Sequence, residues 1–130
     1  MNYTLGIDFG GGASKATLLA SDGSIAATNT VEYPTSYPRP GYAEQNPLDW
    51  YAATRENIKA LLEKSHVDPH DIAAVALDAA THTAVLCDAD YNVLRPSIYW
   101  TDSRSTEEAA YLKREWGEYI YSHKIGRAHV

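Results

Sequence analysis

The chain has 130 residues, with 11 Lys or Arg against 17 Asp or Glu, a formal charge of −6 when histidine is neutral. That length suits one domain and excludes two full ones. The acidic balance excludes a sequence-independent grip on nucleic-acid phosphates, which requires clustered cations.

Hydrophobic residues make up 45% of the chain, enough to build a core. No apolar run reaches the roughly 20 residues of a membrane-spanning helix, so no membrane partner is expected. Cys87 is the single cysteine and cannot form an internal disulfide, which favours a reducing compartment. Met1 leads directly into a strand-like segment without a basic-then-apolar leader. The expectation is a cytoplasmic α/β domain, or a piece of one.

Tyr3 to Asp8 reads as a short strand with Leu5 and Ile7 apolar, ending at the run Gly10-Gly11-Gly12. Strand character resumes at Ala16 to Leu19, Asp22-Gly23 makes a hairpin turn, and Ile25 to Val31 reads as a third strand. Three strands joined by such short turns predict an antiparallel meander. Pro34, Pro38 and Pro40 then mark a loop in which Tyr33, Tyr37 and Tyr42 are expected to cover apolar surface.

A helix is predicted to begin at Asn46, which can cap it, with Pro47 in the first turn and Asp49 at the positive end of the dipole. Trp50, Ala53, Ile58, Leu61 and Leu62 form its apolar stripe. Asp68-Pro69 ends or re-caps the segment. His66 and His70 are four apart, but Pro69 breaks the helix that would align them as metal ligands.

Ile72 to Leu77 has no polar alternation, which predicts a parallel strand covered on both faces and reached through the helix crossover. Thr83 to Cys87 and Val93 to Trp100 read as a hairpin turning at Asp90-Tyr91-Asn92, with Cys87 inert in an apolar strand. Ser105 and Glu108 suggest a capping box, followed by Ala109, Leu112, Trp116 and Ile120 at helical spacing. No repeat or low-complexity tract is present. Residues 125–130, Ile-Gly-Arg-Ala-His-Val, look like one frame of a common sequencing adapter and are set aside, since a capped helix would be cut short where a large fold should continue. An ordinary helix-terminating loop with Gly126 is the alternative.

The most informative stretch is Gly6 to Lys15. Adjacent glycines remove side chains, allow positive φ and let several N–H groups converge on an anion. Ser14 can add a hydroxyl and Lys15 a cation, while Asp8 at the strand end can meet Mg²⁺ directly or through water. Neither a Walker A loop nor a dinucleotide fingerprint fits, since no Gly-Lys-Ser/Thr opens a helix and Lys15 stands where a third glycine is needed. On the turn alone two readings remain: a phosphate cradle, or a hairpin that merely reverses the chain.

Strand, Asp8, Gly10, small residues, Lys15, strand: this order resembles the first phosphate motif of the actin-like ATPase superfamily, with its ribonuclease H-like fold. Within it the chain is similar to the FGGY carbohydrate kinases, most of all the xylulose kinases and their neighbours. Tyr42-Ala43-Glu44-Gln45-Asn46-Pro47, the turn at Thr81-His82, and Arg95-Pro96-Ser97-Ile98-Tyr99-Trp100-Thr101-Asp102-Ser103-Arg104 follow in the family's order over residues 3 to about 122. Residues 1–124 then correspond to an incomplete N-terminal domain: three antiparallel strands, then a helix crossover to a parallel strand.

The resemblance implies ATP and Mg²⁺ as cofactors and a small-molecule sugar or polyol as partner. It implies Asp8, Gly10, Gly11, Gly12, Ser14 and Lys15 on the phosphate and Mg²⁺ side, and Thr81, His82, Trp100 and Asp102 on the sugar side. The Thr81 hydroxyl, the His82 imidazole and the Asp102 carboxylate would fix a polyol's angles while Trp100 walls its C–H face. Two departures stand out. Glycines follow Gly10 where the family commonly carries Ser or Thr, and Thr81 precedes His82 where xylulose kinases carry Met.

The family's catalytic base, adenosine site and second lobe lie C-terminal to this segment, so these residues supply no catalytic base. The chain alone is expected to be an inactive, marginally stable piece of a kinase whose full-length parent is compatible with a homodimer. Two alternatives stay open: an actin-like ATPase without a sugar substrate, and a non-catalytic binding module.

Overall fold

The computed structural model describes residues 2–123, and the expected adapter tail at 125–130 lies outside them. Strand β1 (Tyr3–Phe9), strand β2 (Ala13–Ala20) and strand β3 (Ile25–Glu32) form the expected meander. The pleat sends alternate side chains to opposite faces. Leu5, Ile7, Ser14, Ala16, Leu18 and Ala20 are buried on one face, while Asp8 and Lys15 are exposed on the other.

Helix α1 (Pro47–Ser65) packs on the buried face against β2 and β3. Asn46 caps it as expected, its side chain accepting from the Leu48 N–H, and His66 ends it in the left-handed conformation at φ 56°. Leu61 joins Leu5, Ile7, Ala16 and Leu18 in the core, where burying each large apolar side chain contributes roughly 1.5–3 kcal/mol. The buried stripe of α1 also contains a polar residue that hydrophobic patterning passes over. Asn57 donates to the Ser14 carbonyl and Oγ at 3.1 and 3.2 Å and accepts from Asn29 Nδ2 at 2.9 Å.

A short 3₁₀ turn (Pro69–Asp71), capped by Asp68, leads to β5 (Ile72–Ala79), counted after the two-residue strand β4 (Glu44–Gln45). Strand β5 runs parallel to β1, giving the sheet order β3-β2-β1-β5 and the crossover the sequence predicts. The expectation that both its faces are covered is corrected. Strand β5 is an edge, α1 lies over β2 and β3, and Leu77 is 67% exposed.

The expected hairpin of residues 83–100 also differs. Only single bridges join Ala84 to Ile98 and Cys87 to Val93, and Cys87 is exposed rather than set in an apolar strand. Asp88 folds the intervening loop onto itself by accepting from the Asp90 and Asn92 N–H groups. Strand β6 (Ser97–Ile98) pairs with β4 instead.

Helix α2 (Thr106–Ser122) follows, with none of its residues buried. Ser105 precedes it at φ −86°, ψ 35° and its side chain makes no capping hydrogen bond. The predicted capping box is therefore absent, because that backbone geometry departs from the extended conformation typical of a cap. No helix among the described residues is long and apolar enough to cross a membrane.

Candidate functional site at the carboxyl edge of the sheet

Because β1 and β5 are parallel neighbours with Phe9 opposite Ala79, the two segments that follow them leave the same edge of the sheet. One is the glycine turn and the other carries Thr81 and His82. In open α/β sheets this carboxyl edge is where ligands bind.

The glycine turn is held by its carbonyls. Tyr33 Oη donates to the Gly10 and Ala13 carbonyls at 2.7 and 3.1 Å, and the Tyr33 N–H donates to the Gly12 carbonyl at 3.0 Å. Gln45 Nε2 donates to the Gly11 carbonyl at 2.7 Å, and Thr35 Oγ1 reaches the same oxygen at 3.4 Å. The Gly10 N–H is spent on the Ala13 carbonyl, whereas the Gly11 and Gly12 N–H groups donate to nothing among the described residues. The turn thus presents unspent donors to solvent with its acceptors already satisfied, which is the polarity an anion requires.

Gly10 and Gly11 serve close approach, while Gly12 has open space at its Cβ position; none of the three adopts positive φ, which among the described glycines only Gly23 and Gly41 do. A Cβ on Gly10 would stand 3.2 Å from the Ala13 carbonyl, and one on Gly11 would stand 3.1 Å from Tyr99 Oη.

On the open face of the sheet Asp8 lies in register with Lys15 on one side and Asp78 on the other, and these three line a shallow depression. Asp8 and Lys15 are exposed and form no ion pair with each other or with any described residue. Mg²⁺ is commonly held by one or two carboxylates, with water and phosphate oxygens completing its shell. The Asp8 carboxylate, free of protein partners and beside Asp78, fits that donor set. No cluster of three or more His, Cys, Asp or Glu able to hold a metal occurs among the described residues, so an all-protein cage is not part of the site.

Ser14 is not brought to the turn. It is fully buried on the α1 side, where its hydroxyl accepts from Asn57. The alternation that exposes Lys15 turns its neighbour inward, so Ser14 is corrected from phosphate contact to framework.

Asp102 is corrected in the same way. Its side chain is 2% exposed and bound to Arg104, with contacts of 2.7 to 2.9 Å, and it accepts from the Ala43 N–H at 2.6 Å. Arg104 also reaches Glu44 at 2.8 Å and lies 3.9 Å over the Tyr42 ring, while Arg95 meets Glu44 at 2.8 Å. The hydrogen bonds from Arg104 hold the Asp102 carboxyl well below the usual carboxylate range, and those to Asp102 hold Arg104 firmly protonated. With its lone pairs committed, Asp102 clamps the 42–45 segment to the 95–104 segment.

Thr81 and His82 are exposed at the end of β5, and their side chains make no hydrogen bond within the described residues. His82 has φ 58°, an uncommon conformation for a residue with a side chain, although histidine tolerates it better than most. Trp100 is 59% exposed, with its ring tilted against Tyr99 at 6.0 Å between centroids. None of these three lines the neighbouring cavity of about 290 Å³. Its wall is formed instead by Phe9, Gly10, Tyr33, Gln45, Trp50, Ala79, Ala80, Thr83, Val85 and Tyr99.

Tyr33, Gln45 and Tyr99 are thus site residues that sequence reasoning missed. Gln45 is buried among three hydrogen bonds, to Gly11, Thr35 and Trp50. Its place in the Glu44-Gln45-Asn46-Pro47 motif is a signal, but the motif does not disclose a partner 34 residues away. Burial pushes the Tyr33 phenol up to about 12, with Tyr99 and Asp8 adding to the shift, so it remains a donor.

Comparison with known proteins gives a consistent result. The model of the FGGY family of carbohydrate kinases, N-terminal domain, matches residues 3–128. The chain is 35% identical to the xylulose kinase of Bacillus subtilis (strain 168) over 120 residues, covering 92% of this chain and 24% of that protein. It is 32% identical over 118 residues to the glycerol kinase of Thermococcus gammatolerans, covering 91% of this chain and 24% of that protein. Among solved structures, a xyloylose (xylulose) kinase from Brucella ovis superposes with a TM-score of 0.85 at 34% identity, over 92% of this chain and 25% of that one. The chain spans about a quarter of the length of the relatives it matches.

Proposed function

Since the chain belongs to the FGGY family of carbohydrate kinases, we propose that it is the phosphate-holding part of an ATP-dependent sugar kinase. The substrate class is a pentulose or a related polyol, in line with the names of the relatives. The observation that carries this reading is the glycine turn. Its carbonyls are pinned by Tyr33 and Gln45, and its Gly11 and Gly12 N–H groups are unspent.

In this reaction the acceptor hydroxyl oxygen bonds to the γ-phosphorus as the bond to the β,γ-bridging oxygen breaks, and ADP leaves. The hydroxyl proton passes to a carboxylate base contributed by a part of the kinase outside this chain. Positioning and charge neutralisation dominate such transfers. The turn's amides and Lys15 would hold the terminal phosphoryl oxygens, and Asp8 with Asp78 would hold Mg²⁺, which would supply neutralisation of the phosphate charge. Thr81 and His82, on the segment beside the turn, face the acceptor with Trp100 as its apolar wall. The alternatives without sugar chemistry have no use for that second segment. Dependence on ATP makes the cytoplasm the setting, and a homodimer fits the full-length kinase.

Two measurements test the reading. In the labelled chain, Mg·ATP shifts the Gly11 and Gly12 amide resonances saturably while those of α2 stay still; amides unmoved at millimolar Mg·ATP would refute the phosphate role. ADP release by this chain with xylulose, ribulose, gluconate or glycerol stays at background, and turnover above background would overturn the proposed inactivity.

A further inference from the structure

The glycine turn carries no hydroxyl of its own, because Gly10, Gly11, Gly12 and Ala13 have none and Ser14 is sealed beneath α1. A hydroxyl nevertheless stands at the turn, delivered from 88 positions further along the chain. Tyr99 Oη occupies the space beside Gly11, 3.1 Å from where a Cβ on that residue would be. Tyr99 is 7% exposed, and its Oη makes no hydrogen bond among the described residues. Its backbone is fixed, the N–H donating to the Ala43 carbonyl and the carbonyl accepting from the Asp102 N–H. The Asp102–Arg104–Glu44 clamp thus sets where the phenol arrives.

Tyr99 lines the cavity beside the turn, where its unpartnered hydroxyl is open to a ligand or water. The hydroxyl stands beside Gly11, whose N–H, like that of Gly12, is a donor with no acceptor among the described residues. Unspent donors on such neighbouring groups suit an oxyanion. Cavity-facing Tyr33 and Gln45 do not compete, since the Tyr33 proton and the Gln45 amide are already engaged on turn carbonyls.

We propose that Tyr99 is a phosphoryl-binding residue, donating its hydroxyl proton as a hydrogen bond to an oxygen of the group held by the Gly11 and Gly12 amides. This rests on the phosphate reading of the turn. It also gives Gly11 a reason: any side chain there would displace the hydroxyl. Gly11 and Tyr99 then form one functional pair, joined in space and distant in sequence.

The test uses the whole chain with Mg·ATP as the probe, reading affinity from the Gly12 amide resonance. Tyr99→Phe keeps the ring and its packing against Trp100 and removes only the unpartnered hydroxyl, so Tm stays constant while the Kd rises about tenfold, as for loss of a hydrogen bond to a charged group. Gly11→Ala weakens binding in the natural chain but adds little in the Tyr99→Phe background, where the added methyl group has room. An unchanged Kd in Tyr99→Phe, with the Gly12 shift intact, overturns the role of Tyr99 and leaves the turn's reading standing. Additive effects of the two substitutions overturn the pairing. A natural chain whose Gly12 amide never responds overturns the turn's reading and the present inference together.

Discussion

Replacing Gln45 with leucine separates the two duties assigned to that side chain. The change roughly preserves volume in a buried site and removes the amide that donates to Gly11 and Thr35 at 2.7 Å each and accepts from Trp50 Nε1 at 3.0 Å. At about 1 kcal/mol net per hydrogen bond, these three interactions contribute on the order of 3 kcal/mol. Thr35 Oγ1 still reaches the Gly11 carbonyl, at a long 3.4 Å, and softens that loss. The indole N–H has no replacement, so the expected destabilisation is about 2–3 kcal/mol, a large share of the roughly 5–15 kcal/mol typical of a domain.

Chemical denaturation measures the first duty. Amide resonances of Gly11 and Gly12, and their response to Mg·ATP, measure the second, because a freed carbonyl lets the peptide plane rotate and the donors scatter. Gln45→Glu keeps an acceptor for Trp50 but sets a carboxylate oxygen against the Gly11 carbonyl, so it should disturb the turn more than its stability loss suggests. A Gln45→Leu chain with a stability loss below about 0.5 kcal/mol and unaltered glycine resonances would refute the claim that this side chain pins the turn.

Two other expectations concern charge. The folded chain holds the Tyr33 proton more tightly than the unfolded one, so the associated stability is complete below the ordinary phenol value of 10.0 and fades as pH rises through about 12. Difference tyrosinate titration of the natural chain against Tyr33→Phe should show the missing phenol titrating last, and its appearance near 10 would count against the packing described. Arg104→Lys replaces a fork that grips Asp102 and stacks on Tyr42 with a point charge. Its Tm should fall well below that of Lys59→Gln, which touches only an exposed pair with Glu63. Equal Tm values would remove the clamp from the account.

Local rules carried the secondary structure a long way. Apolar Leu5 and Ile7 and the glycine turns bracketed β1 and β2, Asn46-Pro47 placed the start of α1, and the uniformly apolar 72–77 run gave the parallel β5. Each depends on backbone geometry repeating every two or 3.6 residues, which a sequence displays directly. The family was legible too, because its motifs are contiguous and ordered.

What tertiary structure alone decided is which side chains are spent. Ser14 and Asp102 look free as letters but are consumed by Asn57 and Arg104. Asn57 looks like an interruption of an apolar stripe and proves to be its bolt to β2. Tyr33, Gln45 and Tyr99 come from three places to surround one turn. A hydrogen bond between residues 34 apart is set by how a helix and two small sheets pack, and no local period encodes that distance. The sequence therefore determined most of the elements and the place of the glycine turn, while packing determined which of its donors remain unspent.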